Sequence, residues 1–187
     1  FGGRARFNVT AYDLRVDNLQ LYRLVGFNLQ MENANAKVRG VEADFAVIPF
    51  TGLTLSGTLS RMDPKYAGGT YDGKVLARAE KTHWTLDAKY SAPVSAGELE
   101  FGVSWAHSGQ YFMEATNVGV SKVPAAKLLN ASIKYVSEGA GWDVSLWGKN
   151  LTDELIIRHS IVGAMAGSVQ MYQPPRTYGV SVNLHFD

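Results

Sequence analysis

Apolar and polar residues alternate with a period of two along almost the whole chain, and this pattern leaves few folds open. Tyr178, Val180, Val182, Leu184 and Phe186 are apolar or aromatic, while Thr177, Gly179, Ser181, Asn183 and His185 between them are small or polar. The same rhythm runs through Trp142, Val144 and Leu146, through Leu129, Ala131, Ile133 and Tyr135, and through Leu99, Phe101, Val103 and Trp105. It recurs at Trp84, Leu86, Ala88 and Tyr90, at Leu53 and Leu55, and at Val41, Ala43, Phe45 and Val47. Successive side chains of a β-strand point to opposite faces, so each segment lays one apolar row on one side of a sheet. Between Phe7 and Val16 the phase slips near Ala11 and Tyr12, which predicts a bulge there. The chain reads as all-β.

The breakers between these segments come in two sizes. Pro49 to Gly52, Pro93 to Gly97 and Glu138 to Gly141 are short and rich in Gly or Pro, as tight turns require. Longer irregular stretches cover roughly 18 to 33, 64 to 81, 112 to 125 and 153 to 173. Short and long connections alternate, which predicts eight antiparallel up-and-down strands with every short turn at one end and every long loop at the other. Outer-membrane barrels share this asymmetry. Composition narrows the field further. The longest apolar run, near Phe45 to Phe50, is interrupted by Pro49, far short of the roughly 20 residues of a spanning helix. The 19 Gly argue against long helices, and a net charge of +1 gives no footprint of a nucleic-acid binder. Cysteine is absent, which excludes thiol catalysis, thiolate metal sites and disulfides. The opening Phe1-Gly2-Gly3-Arg4 suggests a piece of a longer chain.

Two features assign the apolar face to lipid. The opposite face carries closely spaced charges, Glu42 with Asp44, Asp87 with Lys89 and Glu98 with Glu100, which a wet lumen tolerates and a dry core does not. Aromatic residues stand near the ends of the apolar rows, at Tyr178 and Phe186, Trp84 and Tyr90, Trp105 and Trp142, as in an interfacial girdle.

Three motifs sharpen this reading. Arg39-Gly40-Val41-Glu42 opens a strand that ends at Pro49, and Gly52-Leu53-Thr54-Leu55 begins the next. Gly148-Lys149-Asn150-Leu151-Thr152-Asp153 has the form G-x-N-L-x-D, and Pro175-Arg176 leads into the last strand. In this order, and at these distances from the C terminus, the chain resembles the C-terminal part of TonB-dependent outer-membrane receptors. The resemblance implies a transmembrane barrel of about 22 strands, of which eight lie within residues 1–187, with a plug domain and the earlier strands elsewhere. It implies energy-coupled uptake of a scarce ligand, a ferric siderophore before cobalamin, haem or a saccharide, in the bacterial outer membrane. The implied partners are that ligand, outer-membrane lipid, the barrel-assembly machinery and, through the N-terminal part, the TonB complex. Tyr178, Val180, Val182, Leu184 and Phe186 would form the assembly signal of the last strand, although Asp187 follows where the family usually ends on the aromatic.

No residue pattern points to catalysis or to a bound cofactor. Gly68 to Lys74 has the spacing of a phosphate loop, but Val75 stands where Ser or Thr would hold magnesium, and no strand-to-helix context exists. His83, His107, His159 and His185 share no metal-ligand spacing. Glu98 and Glu100 on one strand face read as lumen lining rather than an acid–base pair. In the stretch from Asp153 to Gln173, Arg158, His159 and Tyr172 are the candidate ligand contacts, since a cation beside an aromatic ring suits an acidic or chelated ligand. A second architecture also satisfies eight strands: a self-contained barrel, either a small outer-membrane protein or a soluble ligand carrier.

Overall fold

The computed structural model describes residues 2–25, 28–139, 141–163 and 167–185. The described residues form twelve strands in order: β1 (Ala5–Val25), β2 (Asn28–Val47), β3 (Leu53–Tyr66), β4 (Thr82–Val94), β5 (Gly97–Ser108), β6 (Tyr111–Phe112), β7 (Lys122–Val123), β8 (Ala126–Ser137), β9 (Trp142–Lys149), β10 (Ile157–Gly163), β11 (Gly167–Tyr172) and β12 (Thr177–Leu184). Eight of them form one antiparallel sheet in the order β1-β2-β3-β4-β5-β8-β9-β12. Each neighbour in space is thus a neighbour in the up-and-down path, as the alternation of short and long connections requires. The pairs β6-β7 and β10-β11 are small separate ribbons inside two of the long connections.

The sheet does not close. Among the described residues β1 pairs only with β2, and β12 only with β9, so the wall ends in two open edges. A self-contained eight-stranded barrel needs β1 and β12 joined, and the structure contradicts that alternative.

Period-two patterning places the rows as expected. The register Phe7–Phe45–Gly57–Leu86–Trp105–Leu129 crosses six strands on one face. On the other face Asn8, Asp44, Thr58, Thr85, Ala106 and Leu128 form the adjacent row. The apolar face is not buried by anything: Phe7 is 70% exposed, Val182 63% and Tyr178 80%. Phe186 of the same row lies outside the described residues.

Two expectations need correction. The strand phase does not slip at Ala11 and Tyr12, because Ala5 to Val16 stay in regular register with Val47 to Ala36. Tyr12 points to the polar face and lies across Gly40, where a Cβ would stand 2.5 Å from its hydroxyl. The bulge falls later, between Val16 and Leu19, where Asn18 adopts φ 57 and its N–H donates to Asn35 Oδ1 at 3.0 Å. Nor is 18 to 33 an irregular loop. After the bulge the ladder resumes at Leu19–Ala34 and continues to Val25–Asn28. With 20 residues β2 extends over about 65 Å at roughly 3.3 Å per residue, about twice what a spanning strand needs. The hairpin therefore rises far beyond the rest of the wall.

Candidate functional site

Two regions hold side chains with chemistry: the polar face of the sheet and the cluster of long connections at one end.

On the polar face the strands converge around a concavity of about 520 Å³ whose walls include Asp87, Lys89, Glu100, Asn130, Lys134 and Trp147. Several charges of the polar face pair across strands. Lys89 Nζ lies 3.3 Å from Glu100, and Arg6 lies 3.7 Å from Asp44, which also accepts from Asn8 at 3.0 Å. Glu98 and Glu100 share this face without facing each other: Glu100 is opposite Lys134 and Glu98 opposite Val136. Trp147 lies over Gly179, where a Cβ would meet its ring at 2.5 Å, and its Nε1–H donates to Ser181 Oγ at 3.0 Å. An aromatic ring laid over a cross-strand glycine fills the groove that the missing side chain leaves and pins the register.

At the short-turn end, Asp143 is 2% exposed and gathers three partners. Asn183 Nδ2–H donates to its Oδ2 at 2.7 Å, His185 Nε2 lies 2.9 Å from its Oδ1, and Lys134 Nζ lies 3.5 Å away. The expected placement of His185 on the polar face is correct. Its role is to hold the end of the last strand to β9, which local alternation does not reveal.

The long-connection end has a small apolar core of its own. Ala34, Tyr66 and Tyr71 are buried together, with Leu19, Leu21, Leu76 and Ala115 packed against them. Polar ties reinforce it: Tyr71 donates to Glu32 at 3.1 Å, Lys74 Nζ donates to the carbonyl of Thr116 at 3.0 Å, and Asn117 exchanges hydrogen bonds with the backbone of Val75. Burial pushes the Tyr66 phenol above its ordinary pKa, so it stays protonated while its oxygen accepts from the Ala77 N–H. The Gly68 to Lys74 stretch is a loop with one short 3-10 turn, Gly69–Tyr71, and its Gly68 N–H donates to Asp72 Oδ1 at 2.6 Å.

Arg158, His159 and Tyr172, the residues singled out from the sequence, fall on the β10-β11 ribbon. His159 is opposite Met171 and Ile157 opposite Tyr172, with Arg158 exposed at the register shift between them. The three thus share one end of a two-stranded ribbon. Tyr172 spends its hydroxyl on Gln170, at 2.7 Å. The ribbon touches the neighbouring connection where Ser160 Oγ–H donates to the carbonyl of Val120 at 3.4 Å.

Below the ribbon the two C-terminal motifs meet. Asn150, 3% exposed with φ 52, receives and gives: its Oδ1 accepts from Glu154 N–H and its Nδ2–H donates to the Glu154 carbonyl, both at 2.9 Å. Its own N–H donates to Asn130 Oδ1 at 2.9 Å. Asp153 accepts from the Arg176 N–H at 3.0 Å and pairs with the guanidinium at 3.8 Å. The N-L-x-D and P-R residues therefore form a clasp through which the ribbon leaves the wall and returns. Among the described residues no group of three or more His, Cys, Asp or Glu is placed to hold a metal ion.

Comparison with solved structures finds this architecture repeatedly. The ferric yersiniabactin uptake receptor FyuA from Yersinia pestis superposes with a TM-score of 0.87 at 14% identity, over 99% of this chain and 28% of that one. BauA, the ferric preacinetobactin receptor from Acinetobacter baumannii, gives 0.72 at 20% identity over 96% of this chain and 27% of that one. The copper transporter OprC gives 0.74 at 16% identity, over 99% and 29%. The chain thus spans between a quarter and a third of the length of these structures, and at such identities the likeness concerns the fold. Sequence carries the relationship further: the family model for the TonB-dependent receptor-like β-barrel matches residues 1–151. An eight-stranded arc of barrel wall, with an unburied apolar face and a charged concave one, is therefore a member of the TonB-dependent receptor β-barrel family, a family of receptors and not of enzymes.

Proposed function

We propose that residues 1–187 form the C-terminal part of the barrel of a TonB-dependent outer-membrane receptor that takes up a scarce chelated ligand, a ferric siderophore first among them. The observation that supports this most directly is the exposed apolar face. Val9, Leu59, Leu86, Val103, Ile133, Leu146 and Val180 all lie on it, unburied, while the buried hydrophobic residues sit at the long-connection end. A soluble sheet would cover such a face, and lipid does so in an outer membrane. On this reading the concave charged face lines the lumen and meets the plug. The open edges at β1 and β12 join the remaining strands of the barrel. The last strand, with Tyr178, Val180, Val182 and Leu184 outward, engages the barrel-assembly machinery, and the plug side couples to the TonB complex. The ligand class rests on receptors such as FyuA, named for ferric yersiniabactin, BauA, named for ferric preacinetobactin, and PiuA, named a siderophore receptor.

Arg158, His159 and Tyr172 are proposed as ligand contacts on the long-connection side. The test is growth under iron limitation. Cells lacking the full-length receptor are supplied with single ferric siderophores, with and without the gene restored. Receptor-dependent growth on one of them supports the reading, and identical growth on all of them removes the siderophore assignment.

A further inference from the structure

Beyond the apolar band, the outward row of β1, β2 and β3 turns cationic. On β3 the sequence Leu53, Leu55, Gly57, Leu59 gives way to Arg61, Asp63 and Lys65. On β2, Val47, Phe45, Ala43 and Val41 give way to Arg39 and Lys37, and on β1, Phe7, Val9 and Ala11 give way to Asp13 and Arg15. Pairing aligns these changes: Val41 is opposite Arg61, Arg39 lies between Asp13 and Asp63, and Lys37 lies between Arg15 and Lys65. From Leu53 to Asp63 the strand advances about 33 Å at roughly 3.3 Å per residue, which at a strand tilt of about 40° is roughly 25 Å of height, that of an outer-membrane apolar band. The cations thus stand at the rim of that band, on the long-connection side.

Their counter-charges are few. Asp13 is taken by Arg39 at 2.8 Å, and Asp63 by Lys65 at 2.8 Å and Lys81 at 3.9 Å. Among the described residues Arg15, Lys37 and Arg61 make no ion pair. Arg15, Lys37 and Lys65 stand directly opposite one another across three strands, an arrangement of like charges that destabilises a sheet unless an anion bridges them. Asp13, Arg39, Val41, Arg61, Asp63 and Lys81 also border a shallow groove of about 700 Å³.

We propose that this row binds the phosphate-bearing headgroup of an anionic lipid in the leaflet on the long-connection side, its acyl chains lying along the apolar row that includes Val41 and Leu59. Charge complementarity selects the headgroup, and the unbroken passage from apolar to cationic residues on one face selects a lipid over a free anion. The inference rests on the membrane-facing reading of the apolar face given above.

The test uses the purified full-length receptor, with bis-phosphorylated lipid A as probe, its dephosphorylated form as control and inorganic phosphate as competitor, read by native mass spectrometry. Flotation with phosphatidylcholine vesicles is measured in parallel. The wild-type receptor should retain lipid A, reject the dephosphorylated form and resist displacement by millimolar phosphate. The triple substitution Arg15→Gln, Lys37→Gln, Lys65→Gln should weaken retention by about tenfold or more. Arg6→Gln, on the opposite face, should leave it unchanged. A second variant, Asp13→Asn with Asp63→Asn, removes the competing carboxylates and should tighten retention by about threefold or more. Failure of the wild type to retain lipid A, equal retention by the triple variant, weaker retention by the Asn variant, or full displacement by phosphate each overturns the lipid site. If the receptor floats while any of these occurs, only this inference falls. If it does not float, the membrane-facing reading falls with it.

Discussion

Asn150 holds a left-handed backbone conformation, is buried, and makes hydrogen bonds to both Glu154 and Asn130. Asn and Gly tolerate that conformation better than other residues. Asn150→Ala should lower barrel stability by about 2–3 kcal/mol, because the αL strain adds to the lost side-chain bonds. Asn150→Gly, which removes the bonds and not the conformation, should cost roughly half as much. Denaturant midpoints of the folded full-length receptor check the order of the two. Val182 and Asn183 make a sharper pair. Val182 is on the exposed apolar face, whereas Asn183 donates to Asp143 on the polar one. Val182→Arg places a cation in hydrocarbon at a cost of about 2–4 kcal/mol. Asn183→Arg replaces a neutral amide donor beside Asp143 with a cationic one, and its effect should be well under half as large. Equal damage from both, measured as folded-barrel yield, would mean that the faces are assigned wrongly.

Among the elements, β12 and β4 were legible from alternation alone, since nothing interrupts their period of two. The upper half of the β1-β2 hairpin was not. The extra residue at Asp17-Asn18 shifts the phase between the two halves, and a turn-forming Asp-Asn pair inside a strand looks like its end. The Asp143 cluster was hidden for a different reason: its partners Asn183 and His185 lie 40 and 42 residues away, beyond the reach of any local pattern. The motif residues Asn150, Asp153 and Arg176 were recognisable, but their mutual contacts were not. Arg158, His159 and Tyr172 do come together on one ribbon, which the loop expectation did not foresee. If they touch ligand as proposed, Arg158→Ala combined with Tyr172→Ala should weaken binding of whichever ferric siderophore gives receptor-dependent growth by at least about tenfold, or about 1.4 kcal/mol, with no change in denaturant midpoint. Calorimetry on the full-length receptor decides this. Topology is testable element by element as well. Single cysteines at Thr70 and Leu155, in long connections, should react with an impermeant thiol reagent on intact cells, and those at Thr51 and Ser95, in short turns, should not. The reverse pattern would invert the orientation.

At the scale of the whole molecule, the arc has two unpaired edges and one unburied apolar face. Both features predict that residues 1–187 alone do not stay dispersed in plain buffer, since open strand edges pair with other chains and apolar surface self-associates. Light scattering with and without detergent measures this, and a monodisperse detergent-free monomer would contradict it. The clasp of Asn150, Asp153, Glu154 and Arg176 has a different kind of consequence. It fastens the wall at the two points where the β10-β11 ribbon departs and returns, using hydrogen bonds that lie below the ribbon itself. Over evolutionary time, length and sequence between Leu155 and Pro175 can change without disturbing the strands beneath. A lineage can thus exchange this segment as a cassette while inheriting the same foundation.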